Sequence, residues 1–554
     1  MSRPQQPRGP LAPAELKALR LWNRVLLGGL LLWTYLSLCF PVYDTDFWWH
    51  LKTGEWIVEH GTVPQVDLFT FTEIGTPWTD LHWGFQLLIT MLYHLGGFNL
   101  VILVKAAIIT LAVAVAWFAG GRDLPAWQKT ALWIPAVICI SGRGYERPEI
   151  LSLLFLAVWL YVARHVEERP GLIWLLPLVT AVWVNCHALF VLGLVVGGCY
   201  VADCLARDFA QGRWGLARPA HEPPARTILW AGALVAVACL VNPYFEEGAK
   251  FPLTLYRKFT VDQDFYSKHV GEFHRPIDFL IQVGLKGAAN PYLISEVCVW
   301  CVTAASFLWL VVRRHRVSVL RLLLFIAFSH LAWKATRNSN LFALVAAFVA
   351  SENLHELGLP GPAFDAPIDF RRALHRAWTV TAVLAALLAA VVAGVWNEIG
   401  DVNKPFGLGE ARNWFIHGPA RFAGQSGMPR RAFVANFGQA AVYTYHNAPE
   451  RLVFMDGRLE VCSRETFEVF NIILAAMERA DPSWAEIFTA NDGELPVVIL
   501  DSRTFRLPLN GMLQTPGWRL VFADRTGAVF LENRRADKLS LPAVDPQPLF
   551  YPDR

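Results

Sequence analysis

Long apolar runs broken by short polar loops fill residues 22–400, and the pattern then changes to apolar runs of strand length. A helix that crosses a membrane needs roughly 20 mostly apolar residues. Apolar runs fall near 22–40, 98–119, 130–141, 150–163, 172–186, 188–204, 228–241, 293–312, 320–332, 340–350 and 376–396, and they predict eleven transmembrane helices. The short runs, 130–141 with 150–163 and 320–332 with 340–350, come as hairpin pairs, so treating either pair as re-entrant leaves the sidedness of the rest unchanged. The segment Leu81 to Leu95 is apolar too, but it is short and carries His82, Gln86 and His94. Positive charge decides its role, because Lys and Arg collect in cytoplasmic loops. With eleven spans, the loops holding Arg122, Arg164, Arg207, Arg213, Arg313, Arg314, Arg371 and Arg372 lie inside. A twelfth span at 81–95 would move all of those loops outside, so this segment is expected to lie along the outer surface as an interfacial helix.

The same reading places the N-terminus, 1–21, in the cytoplasm. Residues 22–400 form the transmembrane region, with outer loops at 41–97 and 243–292, and 401–554 lie outside. In that last stretch RAFVANF, RLVFMDGR, LPVVILD and WRLVFADRTGAVFLEN are short runs rich in Val, Phe and Leu between Gly, Pro and Asp, which read as strands. A helix is expected between them near Arg464 to Ala480. The expected fold is mainly α: a polytopic protein of the cell (inner) membrane with about eleven transmembrane helices and a C-terminal extracytoplasmic α/β domain.

Composition agrees. Of the 554 residues only 17% are charged, against about 25% in soluble domains, which excludes a water-soluble multidomain enzyme. The net charge of +3 is spread along the chain, so no basic footprint for nucleic acid is present. A basic stretch leads into the first apolar run without a small-residue cleavage pattern, so that run is expected to be retained as a span. Eight of the nine Cys lie in or beside apolar runs, where Cys behaves as a small hydrophobe. Cys298 and Cys301 have CxxC spacing but sit in an apolar helix without further metal ligands.

Candidate chemistry concentrates in the first outer loop, PVYDTDFWWHLKTGEWIVEHGTVPQVDLFTFTEIGTPWTDLHWGFQLL. Acids and histidines beside a membrane surface suit proton transfer, although Trp is enriched at every membrane interface and outer acids are also simply solvated. Arg143, Arg147, Lys334 and Arg337 interrupt otherwise apolar hairpins on the expected outer face. Intramembrane charge is functional by default, and Arg suits bidentate phosphate binding. The plainer reading pairs these cations with headgroups or with Glu146 and Glu149. Asn185, His187 and His330 read equally well as helix-packing hydrogen bonds. Asp456 and Arg458 in FMDGR read either as a tight turn with a local ion pair or as acceptor contacts.

An Asp just after the first span, then WWHLKTG, EHGTVP and GTPW ahead of an amphipathic helix, resembles the first outer loop of the GT-C glycosyltransferase superfamily. The aminoarabinose transferases of lipid A and the protein O-mannosyltransferases are the nearest named types, and a group of bacterial membrane proteins with D-x-D-x-W-W-H-L-x-T-G is nearer still. RPE after the third span, RNSN after the ninth and FMDGR in the outer domain extend the resemblance. It implies a GT-C-like membrane glycosyltransferase that moves a sugar, with inversion, from a polyprenyl-phosphate donor to an acceptor hydroxyl on the outer face. Asp46 is then the general base, with Asp44 beside it. Arg143, Arg147, Arg337, Lys334 and His82 bind the donor phosphate, and Trp49, His50, Trp83 and His187 contact sugar or acceptor.

The implied partners are a polyprenyl-phosphate sugar lipid, a glycan, lipid or protein acceptor, and membrane lipids, but no nucleic acid. No cofactor or metal is predicted, although Asp44 and Asp46 have the chemistry to share a divalent cation. This chain departs from the transferases at two points. Phe47 follows Asp46 where they carry a second acid, and His82 stands roughly where the aminoarabinose transferases carry a Lys. Two other function classes compete. A transporter or flippase needs polar residues deep in several spans, which these spans lack. A non-enzymatic membrane scaffold or envelope-assembly protein would bind a partner through the outer domain and leave the first-loop acids unused.

Overall fold

In the computed structural model the described residues are 13–214, 223–284, 289–358, 370–401, 403–492 and 494–550. The chain forms two compact units, Met1–Pro41 with Phe98–Gly409, and Val42–Gly97 with Glu410–Arg554.

Each of the eleven apolar runs coincides with a helix, from Pro13–Ser37 to Phe370–Val392. Among the described residues, Trp83–Ala119, Ala188–Phe209, Pro291–Arg314 and Phe370–Val392 are long and apolar enough to cross a membrane, and Pro170–Trp183 and Ala225–Ala238 are shorter apolar helices. The first unit is organised around Ser339–Glu356, which is buried on all sides from Ser339 to Asn353. A helix that is apolar all round must be covered all round. Ala126–Ser141, Glu149–His165, Pro291–Arg314 and Val319–Lys334 pack against it. At its far end Glu352 accepts the Gly121 N–H at 2.6 Å and pairs with Arg164 Nε at 2.6 Å. There too Lys129 Nζ donates to the Trp117 carbonyl at 2.6 Å, so a buried ammonium meets helix-end carbonyls that have no helical partner.

The sequence reading groups residues 41–97 with the membrane region, whereas the structure folds 42–97 together with 410–554. The physical reason is sheet pairing. The second unit holds a five-stranded sheet of β1 (Arg431–Val434), β2 (Leu452–Val453), β3 (Val497–Asp501), β4 (Trp518–Ala523) and β5 (Gly527–Glu532), in the order β2-β1-β3-β5-β4. β1 runs parallel to β2 and β3, and β5 runs antiparallel to β3 and β4. β3, VVILD, is buried throughout, as expected of a strand covered on both faces. β2 would be an open edge, and first-loop residues cover it: the Phe71 N–H donates to the Val453 carbonyl at 2.9 Å, and the Val453 N–H to the Phe69 carbonyl at 3.0 Å.

Two helices of the first loop complete this unit. Asp46–His60 packs on Ala440–Asn447 and ends at Gly61, whose left-handed conformation (φ 68°) lets its N–H reach the Ile57 carbonyl. The other helix begins at Trp83 and breaks at Gly96 and Gly97, where the backbone leaves helical geometry. The Gly of WWHLKTG makes their crossing possible, because a Cβ on Gly54 would stand 2.1 Å from Thr90 Oγ1 and 2.5 Å from the Gln86 carbonyl oxygen.

Candidate functional site

In the second unit the two acids of the D-x-D pattern do different things. Asp44 is buried, and its Oδ1 accepts the Asp46 N–H at 3.0 Å. It thereby satisfies one of the orphan donors of the helix that Asp46 opens. Asp46 is only half-buried and stands in the first turn, where the helix dipole favours a negative charge. Its Oδ1 lies 2.7 Å from where a Cβ on Gly457 would be, so the turn of FMDGR packs directly on the carboxylate and only glycine leaves room for it.

Arg458 of that turn is fully buried. Its Nη2 lies 2.7 Å from both Asp67 Oδ1 and Asp456 Oδ2, and its Nε donates to both Asp456 oxygens at 3.0 Å. The guanidinium also lies against the Phe69 and Trp78 rings, 4.8 and 4.6 Å from their centroids. Burial alone would lower its pKa, but Asp456 and Asp67 raise it, so the charge is held. The local Asp–Arg pair expected at this turn is present, and Asp67 from the first loop joins it.

His82 completes the cluster. Its backbone N–H donates to Asp80 Oδ1 at 3.0 Å, and its Nδ1 lies 3.2 Å from the same oxygen. Burial works to lower its pKa, but the hydrogen bond to Asp80 and the charges of Asp80, Glu460 and Asp46 raise it above the ordinary 6.5. His82 therefore faces carboxylates, which favour its cationic form. The predicted sugar contacts Trp49 and His50 are buried; their ring centroids lie 3.6 Å apart with the planes tilted by 35°, and His50 packs edge-on against His82 and Phe85. Trp83 is half-buried at the start of its helix. Nearby, Glu410, His417 and His446 form a chain, with His417 Nε2 2.6 Å from Glu410 and its Nδ1 2.8 Å from His446 Nε2. Among the described residues no three His, Cys, Asp or Glu converge as a metal-ligand set.

In the first unit the structure brings Arg143, Arg147 and Arg337 together. Arg143 Nη1 lies 3.2 Å from Glu272 Oε1 and its Nε lies 3.4 Å from Glu149 Oε1. Arg147 Nη1 lies 2.8 and 2.9 Å from the two Glu272 oxygens. Arg337 lies over the Phe273 ring, 5.3 Å from its centroid, and its charge also acts on Glu272. Glu149 is a partner as expected, whereas Glu146 turns inward and receives Lys105 Nζ at 2.6 Å. Lys404, past the last apolar run, clamps the same loop: it donates to the Gly142 carbonyl at 2.7 Å and lies 4.1 Å from the Tyr145 ring centroid.

Lys334 is half-buried, and its backbone carbonyl accepts Gln263 Nε2 at 3.1 Å. His187 is buried and shares a 2.8 Å hydrogen bond with Ser152, the helix-packing alternative anticipated for it. His330 borders an apolar cavity of about 490 Å³ between Pro291–Arg314 and Val319–Lys334, lined also by Trp300, Trp333, Phe342, Glu296 and Pro276. Glu272, Asp67, Glu460 and Lys404 are the members that sequence reasoning missed. Glu272 lies far along the chain from Arg143 and Arg147, Asp67 from Arg458, Glu460 from His82 and Lys404 from Gly142, and no local pattern marks these pairings.

No protein-family model matches the chain, and no curated protein matches it. Solved structures do. The apo oligosaccharyltransferase of Archaeoglobus fulgidus, an enzyme of the GT-C superfamily, superposes with a TM-score of 0.53 at 12% identity, over 88% of this chain and 69% of that one. The archaeal oligosaccharyltransferase AglB from Archaeoglobus fulgidus, in complex with an inhibitory peptide and a dolichol-phosphate, aligns over 97% of this chain and 77% of that one at 12% identity, with a TM-score of only 0.42. The first similarity is one of fold.

Proposed function

Because this chain has the fold of a GT-C enzyme, we propose that it is a membrane glycosyltransferase. It moves a sugar from a polyprenyl-phosphate donor to a hydroxyl of a glycan, lipid or protein acceptor on the outer face. Eleven spans, a cytoplasmic N-terminus and an outer region at 401–554 belong to the same proposal. Asp46 takes the acceptor proton as the oxygen bonds to the anomeric carbon. The bond from that carbon to the phosphate oxygen breaks with inversion, and the lipid phosphate leaves as an anion. No cofactor enters. A positioned carboxylate base typically contributes 10²–10⁴-fold.

The observation that carries the reading is the gathering of Arg143, Arg147 and Arg337 in one cluster of the first unit. Arg337 lies in the short turn joining two of the helices whose residues line the apolar cavity, so a cationic head site and space for a hydrocarbon chain are neighbours. Guanidinium groups bind phosphate bidentately and stabilise a departing phosphate. His82, encircled by carboxylates, supports Asp46 better than it supports a phosphate.

The test is transfer from radiolabelled polyprenyl-phosphate sugars in membranes holding the protein, wild type beside Asp46→Asn. Transfer lost in the variant at unchanged protein level supports the assignment. No transfer from any donor, together with a normal cellular phenotype for Asp46→Asn, favours the scaffold reading instead.

A further inference from the structure

Lipid-phosphate binding leaves one group of the cationic cluster unexplained. Glu272 comes from the loop after Phe245–Val261, in the short turn Gly271–Phe273, over a hundred residues from Arg143 and Arg147. Both of its oxygens lie at Arg147 Nη1, at 2.8 and 2.9 Å, and Oε1 also lies 3.2 Å from Arg143 Nη1, so one carboxylate takes up N–H groups of two guanidinium groups that would otherwise suit a phosphate. Burial would push its carboxyl up, but Arg143, Arg147 and Arg337 outweigh burial and hold it well below the usual carboxylate range. It is a permanent anion in an anion site. The three arginines face two carboxylates, Glu149 and Glu272, and withdrawing Glu272 leaves Glu149 as their remaining carboxylate contact among the described residues.

The residues beside Glu272 tie its segment to the same region. The Phe273 ring lies under Arg337, the His274 carbonyl accepts the Thr336 N–H at 3.0 Å, and Pro276 walls the apolar cavity. Segment 271–276 thus touches both the cationic cluster and the apolar space. Phe273 is buried, whereas the Glu272 side chain retains 26% exposure, Arg143 13% and Arg147 20%.

We propose that Glu272 is a resident anion that occupies the phosphate position on Arg143 and Arg147 in the lipid-free protein. The phosphate of a polyprenyl-phosphate lipid displaces it, and segment 271–276 exchanges with the lipid. The inference rests on the phosphate-binding role of the arginines. It adds that the ligand competes with an internal carboxylate, so the apparent affinity is reduced by the fraction of molecules in which Glu272 has left.

The experiment uses full-length protein in nanodiscs of neutral lipid. Polyprenyl monophosphate and, separately, inorganic phosphate are titrated into wild type, Glu272→Gln and Arg143→Ala. Glu272→Gln should bind polyprenyl phosphate roughly ten-fold more tightly than wild type, and Arg143→Ala should bind it more weakly. Hydrogen exchange of residues 262–275 in the wild type should rise when polyprenyl phosphate is added, a readout that survives even if a variant folds poorly. Unchanged or weaker binding by Glu272→Gln, with exchange in 262–275 unaltered by lipid, overturns the displacement while leaving phosphate binding intact. Tightening for inorganic phosphate alone overturns the lipid assignment. Binding that is absent in wild type and Glu272→Gln alike removes the phosphate-binding reading and this inference together.

Discussion

Replacing Arg458 by Met leaves two carboxylates, Asp67 and Asp456, in a fully buried site without their cation. The side chain is 0% exposed, as is Asp67, and Asp456 is 2% exposed, so water cannot take over the lost contacts. Removing one member of a buried ion pair costs about 3–5 kcal/mol, mostly the penalty of the charge left behind. The unit that contains the cluster has about 200 residues, a size at which each kcal/mol moves the unfolding temperature by about 2–4 °C. The expected fall is therefore about 6–20 °C, read by thermal unfolding of the detergent-solubilised protein. Because Asp67 belongs to the stretch that covers β2, hydrogen exchange should accelerate at residues 66–77 first. Adding Asp67→Asn and Asp456→Asn to Arg458→Met should restore part of the loss, since a neutral buried site is cheaper than an unpaired anion. An Arg458→Met protein that melts within about 2 °C of wild type, or a triple variant less stable than the single one, would refute the argument.

Other outcomes follow from the same geometry. Gly457→Ala should displace the Asp46 carboxylate, whose Oδ1 lies 2.7 Å from the added methyl. Transfer should fall by about ten-fold or more while stability changes by less than about 2 kcal/mol, and full activity in this variant would count against Asp46 as base. Gly54→Ala inserts a methyl into a helix crossing with 2.1–2.5 Å of room, and should destabilise the second unit by about 1–3 kcal/mol in denaturant titrations. Burial, then His417, Arg421 and Lys52, lowers the His446 pKa from 6.5 to about 4. The folded state resists this proton, so the contribution of His446 to stability is full above pH 6.5 and is lost as the pH falls from 6.5 to 4. His446→Gln should flatten that decline, and a pH profile identical to wild type would exclude the assignment.

Two first-loop acids show where sequence reasoning reached and where it stopped. That an Asp accepts the first N–H of a helical run two residues on, as Asp44 does for Asp46, is local chemistry and so is open to reading from the sequence. The pattern assigned both acids to catalysis, and the fold separates them by burying Asp44 behind the helix start. The signature WWHLKTG stood out as a family marker, but its reason lies in packing. Trp48 meets Phe415, His417 and Tyr445, while Trp49 turns to His50 and Trp78. The Trp48 neighbourhood is not visible until residues some 370 positions apart are joined.

What the sequence determined by itself is what depends on near neighbours along the chain. Apolar runs set the helices, because a helix satisfies its own backbone and needs only a covered face. Short apolar stretches flanked by turn residues set the strands, and the scarcity of charge set the membrane setting. Tertiary structure alone decided which charges distant along the chain meet. Burying an ion is favourable only where an opposite charge waits, and that partner comes from anywhere in the chain. Glu272 thus found Arg143 and Arg147, Asp67 found Arg458, and the first loop found the edge of a sheet whose strands begin more than 350 residues later.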